Sequence, residues 1–425
     1  MLAPIEDAVI TVPGSKSISN RALVIASLAR GRSDIIGALH ADDTDAMVSC
    51  LRELGTTIER RGRHDVVDGR SGTWAAGPRE LHLEKAATVA RFLLPSLLLG
   101  ASTYKLDGHD QLKRRPVEPL IRALRQLHLG VTELEGAGSL PLEVTAPRVL
   151  PSERRRVEIS GDVSSQFLSG LLLAGPCLPG GLEVDLNGTL VSEPYIRMTI
   201  AVMHEFGARV TNDRGHFVVE PTGYTATEYK VEPDASAASY FFAAAAICGG
   251  RVRLDGLTRD SLQGDLEFLD VLDKMGVQID WADDHVTVTS RGQIHGISAG
   301  INMANFSDTA QTLAVVAPFA DAPTKVTGIG FIRAKETDRI GNVVTQLQRC
   351  GVRAEEEDDG FTVYPGVTRP ASRTVAVDTY GDHRMAMSFS LLGLATPGIE
   401  IQDPGCVSKT FPDYWDAFEG LYPAS

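Results

Sequence analysis

The sequence predicts a soluble α/β protein of two domains, and three observations lead to this fold class. The chain has 425 residues, which is more than one hydrophobic core ordinarily organises. Its apolar content of 43% and charged content of 23% are typical of a water-soluble globular protein. Apolar helical runs alternate with short β-branched stretches along the chain, which indicates an α/β fold.

Six segments of the chain share one plan. Each opens with polar residues, and an Ala/Leu-rich helical run, a Gly- or Pro-containing turn, a β-branched stretch and a second helix follow. The openings recur roughly every 70–80 residues, which is longer than the common solenoid repeats. The six openings read VPGSKSISNRAL, LHLEKAATVARF, ISGDVSSQFLSG, VEPDASAASYFF, INMANFSDTAQT and VDTYGDHRMAMS.

Six copies in two domains predict three copies in each domain. The boundary is expected near Lys230–Glu232, so that residues 14–230 form the first globular domain. Residues 1–13 and 231–425 are expected to form the second, with the first dozen residues pairing back onto it.

The helical run that opens each segment is apolar on nearly all sides, as in AAAAI and LLLAG. Such a helix belongs inside a domain, with strands such as RVRLDGL and HVTVTS wrapped around it. Its N-terminus then points outward, carrying about half a positive charge and unpaired N–H groups. The openings of two facing domains are therefore expected to attract anions.

The net charge of −14 argues against general binding to nucleic acids or anionic membranes. Any basic cluster for an anionic substrate must then be local and lie in a cleft. The N-terminus lacks the basic start of a signal peptide, and no apolar run reaches the length of a membrane span. Five scattered cysteines without a CxxC pair indicate reduced thiols, so a cytoplasmic protein is expected.

Three polar motifs of the first half precede helical runs. Pro13–Arg21 places a turn before a helix, and its Lys16 and Arg21 can reach the same anion. An isolated Ser-Lys-Ser is ordinarily a cap beside two surface cations, and the spacing is not that of a Walker A loop. Gly161–Phe167 offers neutral donors for phosphate or carboxylate oxygens, and Val191–Tyr195 adds a hydroxyl and an aromatic ring.

The second half supplies carboxylates together with cations. Asp308 begins the fifth helical run, where an N-cap is the usual role, although among many cations it could act as a general base. Lys335–Arg339, Gly381–Met387 and Val407–Tyr414 complete the set. The set contains no metal-ligand cluster and no nucleotide fingerprint, and it indicates acid–base chemistry on anionic substrates.

With PGSKSISNRAL, SSQFLSGLLLA, EPDASAASYFFAAAAI, KETDR, GDHRMAM and SKTFPDY in one order, the chain resembles the 5-enolpyruvylshikimate-3-phosphate synthase family over nearly its whole length. The resemblance implies the enolpyruvyl transferase fold, two inside-out α/β barrels of three βαβαββ units each, with the active site in the cleft between them. It implies transfer of the enolpyruvyl group of phosphoenolpyruvate to the 5-hydroxyl of shikimate 3-phosphate, with release of phosphate. It also implies no metal or organic cofactor, no nucleic-acid or membrane partner, and a monomeric enzyme of the shikimate pathway.

The resemblance further implies roles for individual residues. Shikimate 3-phosphate would be held by Lys16, Ser17, Arg21, Ser164, Ser165, Gln166, Ser192, Tyr195, Asp308 and Lys335. Phosphoenolpyruvate would be held by Lys16, Ala87, Arg91, Arg115, Gln166, Arg339, Arg384 and Lys409. The implied catalytic residues are Asp308, Glu336, Lys16, Lys409 and His383. Asp308 would take the 5-hydroxyl proton, and Glu336 would manage the proton at the methylene carbon with Lys16 or Lys409 assisting.

One motif departs from the family pattern. Where the family usually reads Gly-Asn-Ala-Gly-Thr-Ala-Met-Arg, this chain has Glu84–Arg91, with Lys85 for the Asn and Ala87 for the second Gly. An added Cβ at position 87 would narrow the pocket beside the bound anion. Lys85 and Ala87 are therefore expected to set inhibitor selectivity and to exclude glyphosate, which is longer than phosphoenolpyruvate. A second interpretation is that these changes weaken or redirect the activity.

Two other functions remain open from the sequence. The related enolpyruvyl transferase acting on UDP-N-acetylglucosamine shares the fold, but it usually carries a reactive Cys where this chain has Asp107–Pro116 without one. A non-catalytic, metabolite-binding relic of the enzyme would account for the altered second repeat. Such a relic would not need the retained Asp308, Glu336 and Lys409.

Overall fold

The computed structural model describes residues 4–136, 138–162, 164–368 and 374–422. Residues 1–3 and 423–425, which the sequence assigns to the second domain, and Val163 of the third opening lie outside the described residues. The chain divides into two compact units. The first unit is Gly14–Val231, and the second unit combines the residues up to Pro13 with those from Glu232 onward.

The helices and strands alternate along both units. In chain order, the strand of the second unit that precedes the first unit and the elements of the first unit are β1 (Ile5–Ile10), α1 (Lys16–Leu28), β2 (Arg32–Ile36), α2 (Asp42–Glu53), β3 (Thr57–Arg61), β4 (His64–Asp68), β5 (Arg79–His82), α3 (Ala87–Ser96), β6 (Thr103–Asp107), α4 (Asp110–Lys113), α5 (Glu118–Gln126), β7 (Gly130–Glu133), β8 (Leu142–Thr145), β9 (Arg155–Ser160), α6 (Ser165–Ala174), β10 (Leu182–Asn187), α7 (Glu193–Glu205), β11 (Val210–Asp213), β12 (His216–Val219) and β13 (Glu228–Lys230).

The second unit follows the same alternation. Its further elements are α8 (Ala235–Cys248), β14 (Gly250–Asp255), α9 (Glu267–Lys274), β15 (Gln278–Trp281), β16 (His285–Ser290), β17 (Ile301–Asn302), α10 (Ala310–Val316), β18 (Thr324–Thr327), α11 (Gly341–Arg349), β19 (Val352–Glu357), β20 (Gly360–Val367), β21 (Val375–Val377), α12 (His383–Ala395), β22 (Ile399–Ile401) and α13 (Tyr414–Glu419).

Each full repeat is a βαβαββ unit whose four strands form one sheet. In the second repeat, β5 and β6 are parallel, β8 is antiparallel to β6, and β7 pairs with β8 as a hairpin. The third and fifth repeats have the same order, β9-β10-β12-β11 and β17-β18-β20-β19. The sixth repeat is shorter in the described part of the chain, where its sheet is the parallel pair β21–β22. The structure thus contains six α/β repeats, three in each unit, as predicted.

Two sheets take their outer strand from a distant part of the chain. In the first repeat, β13 lies parallel to β2, with Tyr229 opposite Ile35. In the fourth repeat, β1 lies parallel to β14, with Ala8 opposite Val252. The N-terminal strand therefore completes a sheet of the second unit rather than of the first.

The helix that opens each repeat lies in the interior of its unit. Every residue of α8 and of α3 is buried, and α8 reads ASAASYFFAAAAIC. Ala and Leu favour the helix, and the absence of a polar face requires cover on all sides. In the first unit α1, α3 and α6 pack on one another, and in the second unit α8, α10 and α12 do the same. The more amphipathic helices, such as α5 and α9, bury only one face.

A glycine allows two of these buried helices to approach closely. A Cβ added at Gly170 of α6 would lie 2.1 Å from the carbonyl oxygen of Arg91 and 3.2 Å from Cγ of Pro95, both on α3. Any larger residue would push the two helices apart. The contact matters for the site because α3 and α6 carry the second and third openings.

We predict that Gly170→Ala destabilises the protein by about 1–3 kcal/mol, because α3 and α6 must separate to accept the methyl group. The matched control is Gly393→Ala in α12, where the added Cβ would lie 3.5 Å from Cβ of Ile399, an ordinary contact. Since Ala is favoured over Gly in a helix by about 1 kcal/mol, the control should be neutral or stabilising. Calorimetric melting of both variants measures the difference, and equal melting temperatures would contradict the close approach.

Candidate active site

The first unit places Lys16, at the start of α1, beside a carboxylate that sequence reasoning missed. Lys16 Nζ lies 3.3 Å from Oδ2 of Asp43, whose side chain is 5% exposed. Asp43 is the second residue of α2. The sequence offered the Asp42-Asp43 pair at the start of α2 as a clue to this contact. Acidic residues are common in a first helical turn, however, because they interact favourably with the helix dipole.

Arg21, the second cation of the first opening, is 1% exposed and is held by neutral oxygens. It donates to Oγ1 of Thr199 at 2.7 Å and to Oγ of Ser169 at 3.2 Å. It also donates to the backbone oxygens of Ser17 at 2.8 Å and Tyr195 at 3.2 Å. These bonds fix the guanidinium between α1, α6 and α7.

The charge of Arg21 has no carboxylate to balance it among the described residues. Burial lowers the pKa of Arg21 to about 10, and nearby tyrosines offset this only in part. A buried cation without a counter-ion is unfavourable, because it has lost its hydration without gaining an ion pair. An anionic ligand would supply the missing charge, and the role of Arg21 in holding shikimate 3-phosphate stays a prediction.

Arg91 joins the second opening to the third. Its Nη1 donates to Oε1 of Gln166 at 2.8 Å and to Oγ of Ser164 at 3.3 Å. Nε2 of Gln166 donates to Oγ1 of Thr88 at 3.0 Å, which fixes the orientation of the amide. Ser164 is the N-cap of α6 and accepts the N–H of Gln166 at 3.3 Å. Three residues predicted to hold the substrates are therefore in direct contact.

Non-glycine residues adopt the left-handed backbone region in the second and sixth openings and at the N-cap of α7. Glu84 in the second opening has a φ of 51°, Tyr380 in the sixth has a φ of 53°, and Ser192, the N-cap of α7, has a φ of 56°. Residues with a Cβ adopt this region at a cost of about 1–2 kcal/mol. Glu84 stands where the family pattern has a glycine, the residue that adopts this backbone conformation without strain.

The other predicted residues of the first unit lie at or next to the ends of helices. Ala87 is the first residue of α3 and is 4% exposed, whereas Lys85 is exposed to solvent. Arg115 directly follows the C-cap of α4 and is 8% exposed. The first turns of three helices contain Ser17, Ser165 and Tyr195.

In the second unit, three cations surround the carboxylate of Asp308. Arg384 Nη2 lies 2.7 Å from its Oδ2, and Arg339 Nη1 and Lys335 Nζ lie 3.2 Å and 3.3 Å from its Oδ1. Asp308 belongs to the short 3-10 turn that leads into α10, and the N-cap position of α10 is Thr309. Asp308 therefore does not have the usual capping role, and its carboxylate faces cations instead.

A second carboxylate, Glu336, shares one of these cations. Its Oε1 lies 3.0 Å from Lys409 Nζ, and its Oε2 lies 2.8 Å from Arg339 Nη2. Arg339 also donates to both carboxylate oxygens of Asp382, at 2.7 Å and 3.1 Å. Burial alone would lower the pKa of Arg339, but Asp382, Glu336 and Asp308 raise it above its ordinary value. Arg339 is therefore a permanent buried cation that links the three carboxylates.

Asp382 and Tyr240 hold the arginines, and sequence reasoning assigned a role to neither. Asp382 also caps α12 by accepting the N–H of Arg384 at 2.9 Å. Tyr240 of α8 accepts a hydrogen bond from Nη1 of Arg384 at 3.3 Å, and burial raises the pKa of Tyr240 to about 12, so that its hydroxyl stays neutral. The predicted His383 is 1% exposed, with Nδ1 3.5 Å from Oδ1 of Asp382.

The charged residues around Asp308 carry more positive than negative charge. In the second unit the cations Lys335, Arg339, Arg384 and Lys409 exceed the carboxylates Asp308, Glu336 and Asp382 by one. In the first unit Lys16 is paired with Asp43, whereas the hydrogen bonds of the buried Arg21 go to neutral oxygens. These are local exceptions in a chain with a net charge of −14, and they favour ligands rich in phosphate and carboxylate oxygens. Carboxylates beside such cations can also move protons.

Among the described residues, no group of three or more His, Cys, Asp and Glu side chains could hold a metal ion. None of the helices in the described ranges is long and apolar enough to cross a membrane. The five cysteines, all within the described ranges, form no disulfide.

The fold and these charged residues define a class, the two-unit α/β proteins of six repeats that hold buried cations beside carboxylates. The family model described as EPSP synthase (3-phosphoshikimate 1-carboxyvinyltransferase) matches residues 3–418. The chain therefore belongs to the EPSP synthase family, and the predicted resemblance is confirmed.

Two relatives agree with this assignment, and a solved structure has the same fold. A 3-phosphoshikimate 1-carboxyvinyltransferase of Sulfurovum sp. is 42% identical over 418 residues, which cover 97% of this chain and 96% of the relative. The enzyme of the same name from Trichormus variabilis is 40% identical over 416 residues, with the same coverage. An EPSP synthase structure from Acinetobacter baumannii is similar in fold, with a TM-score of 0.81 at 24% identity, covering 98% of this chain and 96% of that chain.

We predict that Asp382→Asn destabilises the protein by about 2–4 kcal/mol, because it leaves the buried Arg339 with one charged partner fewer. The asparagine keeps an oxygen that can cap α12, so the change tests the ion pair itself. The matched control is Asp255→Asn, whose partner Arg253 lies 2.7 Å away at the surface of the same unit. Its cost should stay below about 1 kcal/mol. Urea denaturation followed by circular dichroism compares the two, and similar losses would contradict a buried, structural role for Asp382.

Proposed function

We propose that this chain transfers the enolpyruvyl group of phosphoenolpyruvate to the 5-hydroxyl of shikimate 3-phosphate and releases phosphate. The observation that carries the proposal is the Asp308 carboxylate surrounded by Arg384, Arg339 and Lys335. A carboxylate base surrounded by anion-binding cations is what proton removal from a hydroxyl of a phosphorylated, carboxylated substrate requires. The family membership supports the same reaction.

The reaction is proposed to proceed by addition and elimination. The 5-hydroxyl oxygen bonds to C2 of phosphoenolpyruvate while its proton passes to Asp308, and a proton adds to C3 to give a methyl group. Loss of a proton from C3 and cleavage of the bond between C2 and the phosphate oxygen then restore the double bond and release phosphate. Glu336, beside Lys409 at 3.0 Å, is proposed to handle the C3 proton, with Lys409 or Lys16 assisting.

Arg384 and Arg339 are proposed to pair with Asp308 in the free protein and with the substrates in the complex. In the free protein Arg384 and Arg339 are paired with Asp308. Anionic substrates would compete for these guanidinium groups, since bidentate bonds to phosphate or carboxylate are strong. As its cations turn to the substrate, Asp308 loses part of the positive potential around it and becomes a stronger base. Substrate binding would thus activate the base.

The remaining residues are proposed to position the two substrates. Shikimate 3-phosphate is assigned to Lys16, Ser17, Arg21, Ser164, Ser165, Gln166, Ser192, Tyr195, Asp308 and Lys335. Phosphoenolpyruvate is assigned to Lys16, Ala87, Arg91, Arg115, Gln166, Arg339, Arg384 and Lys409. His383, enclosed at the start of α12, is kept as a further catalytic candidate. The proposal includes a monomeric enzyme in a reducing compartment such as the cytoplasm, which the free thiols support.

Resistance to glyphosate is proposed to follow from Ala87. Its methyl group lies at the first residue of α3, one turn before Arg91. Lys85 is exposed to solvent, so its charge is the weaker of the two changes in the second opening. A single methyl group in a close-fitting pocket changes binding by roughly 10- to 200-fold, which suffices to exclude a longer mimic of phosphoenolpyruvate.

We predict that Asp308→Asn lowers kcat by roughly 10²–10⁴-fold, the range for loss of a general base, while both substrates still bind. The matched control is Asp338→Asn. Asp338 lies between Lys335 and Arg339, which both contact Asp308, but it pairs with Arg333 at 2.8 Å. Phosphate release is measured with shikimate 3-phosphate and with UDP-N-acetylglucosamine as acceptors. Release with only the UDP-sugar would favour the related transferase. Equal behaviour of Asp308→Asn and the unchanged protein would favour a binding module.

We predict that the unchanged enzyme is not inhibited by micromolar glyphosate and that Ala87→Gly lowers the inhibition constant roughly tenfold or more. The matched control is Ala90→Gly in the same buried helix, which loosens α3 without opening the position next to the ligand. Steady-state kinetics with varied glyphosate and phosphoenolpyruvate measure the inhibition constants of the unchanged enzyme and of the two variants. Micromolar inhibition of the unchanged enzyme, or the same response from both variants, would contradict the role of Ala87.

A further inference from the structure

We propose that Phe92 and Phe167 are positioning residues, each holding one guanidinium, and that they control the affinities for different substrates. Cζ of Arg21 lies 5.0 Å from the centroid of the Phe92 ring, and Cζ of Arg91 lies 4.9 Å from that of Phe167. Both distances lie within the range for cation–π attraction, which is strongest when the pair is shielded from water. Both rings are completely buried.

The contact between Arg21 and Phe92 compensates for a missing counter-ion. The four hydrogen bonds of Arg21 go to hydroxyl and carbonyl oxygens, none of which carries a full negative charge. The electron-rich face of Phe92 is a further source of negative potential at this cation. It also limits the plane in which the guanidinium can turn. Removal of the ring should therefore leave Arg21 free to tilt away from an incoming anion.

The guanidinium of Arg91 is held by the ring of Phe167 and by the side chain of the preceding residue, Gln166. Arg91 is 5% exposed, and its Nη1 donates to Gln166, which directly precedes Phe167 at the start of α6. The ring of Phe167 and the amide of Gln166 thus hold the guanidinium from one helix. Removal of the ring should disturb Arg91 while leaving Arg21 in place.

The two contacts are separable because adjacent helical residues face different directions. Arg91 and Phe92 are neighbours on α3, yet Arg91 contacts α6 and Phe92 contacts α1. In the proposed function, on which this inference rests, Arg21 holds shikimate 3-phosphate and Arg91 holds phosphoenolpyruvate. Two buried phenylalanines of one core should then affect two different kinetic constants.

The experiment measures KM for each substrate, with the other saturating, in Phe92→Leu, Phe167→Leu and Phe217→Leu. Leucine keeps an apolar side chain but removes the aromatic face. Phe217 of β12 is a matched control for core packing, because it is 1% exposed and no guanidinium overlies it among the described residues. We expect Phe92→Leu to raise KM for shikimate 3-phosphate roughly tenfold, with KM for phosphoenolpyruvate within twofold. Phe167→Leu should show the reverse, and Phe217→Leu should change neither.

Other results would overturn the inference. If Phe92→Leu and Phe167→Leu raise the same KM, lower one, or change neither, the rings act only as core packing. If either variant fails to fold, Phe92→Met or Phe167→Met gives the same comparison with a more adaptable side chain. Turnover by the unchanged protein is measured first. Its absence would refute the proposed function, whereas turnover without the expected separation of KM values would refute this inference alone.

Discussion

The helix that opens each repeat has no polar face, and this constraint determines where the chemistry can lie. All residues of α3 and α8 are buried, so no side of these helices is open to a ligand and only their ends can face one. Lys16, Gln166 and Arg384 accordingly come from the first turns of three different helices. Because the βαβαββ unit is repeated, the chain contains several helix N-termini of this kind. Gly170 allows two of these helices, α3 and α6, to pack closely. The candidate site residues therefore come from similar positions in several repeats rather than from one loop.

The positive charge of a buried cation needs compensation by nearby groups, and the two units provide this compensation in different ways. The second unit pairs Arg339 and Arg384 with carboxylates, so in the proposed function anionic substrates compete with Asp308 for them. The first unit holds Arg21 with neutral oxygens and the ring of Phe92, so in the proposed function a substrate adds the missing charge without displacing a carboxylate. The proposed function thus couples substrate binding in the second unit to activation of the Asp308 base. In the first unit it assigns to Arg21 binding alone, which suits a residue that only holds the acceptor.

The sequence predicted the six repeats, the buried helices and the residues at their openings, because apolar runs and polar motifs are local patterns. It did not predict the supporting contacts. Asp43 and Asp382 occur where acidic residues ordinarily cap or start helices, and only the fold brings them to Lys16 and Arg339. Phe92 and Phe167 look like ordinary core residues in an apolar run. Asp308 could be a cap or a base from its motif, and its three cations come from distant segments.

The central step of the proposed reaction is the addition of a proton to the methylene carbon of phosphoenolpyruvate and its later removal. The most direct measurement runs the reaction with phosphoenolpyruvate and shikimate 3-phosphate in deuterated water and determines the isotope content of the product's vinyl group by mass spectrometry. Because C3 becomes a methyl group and then loses one of three hydrogens, the account predicts deuterium in the vinyl group of the product. A product without deuterium would contradict addition and elimination through a methyl intermediate.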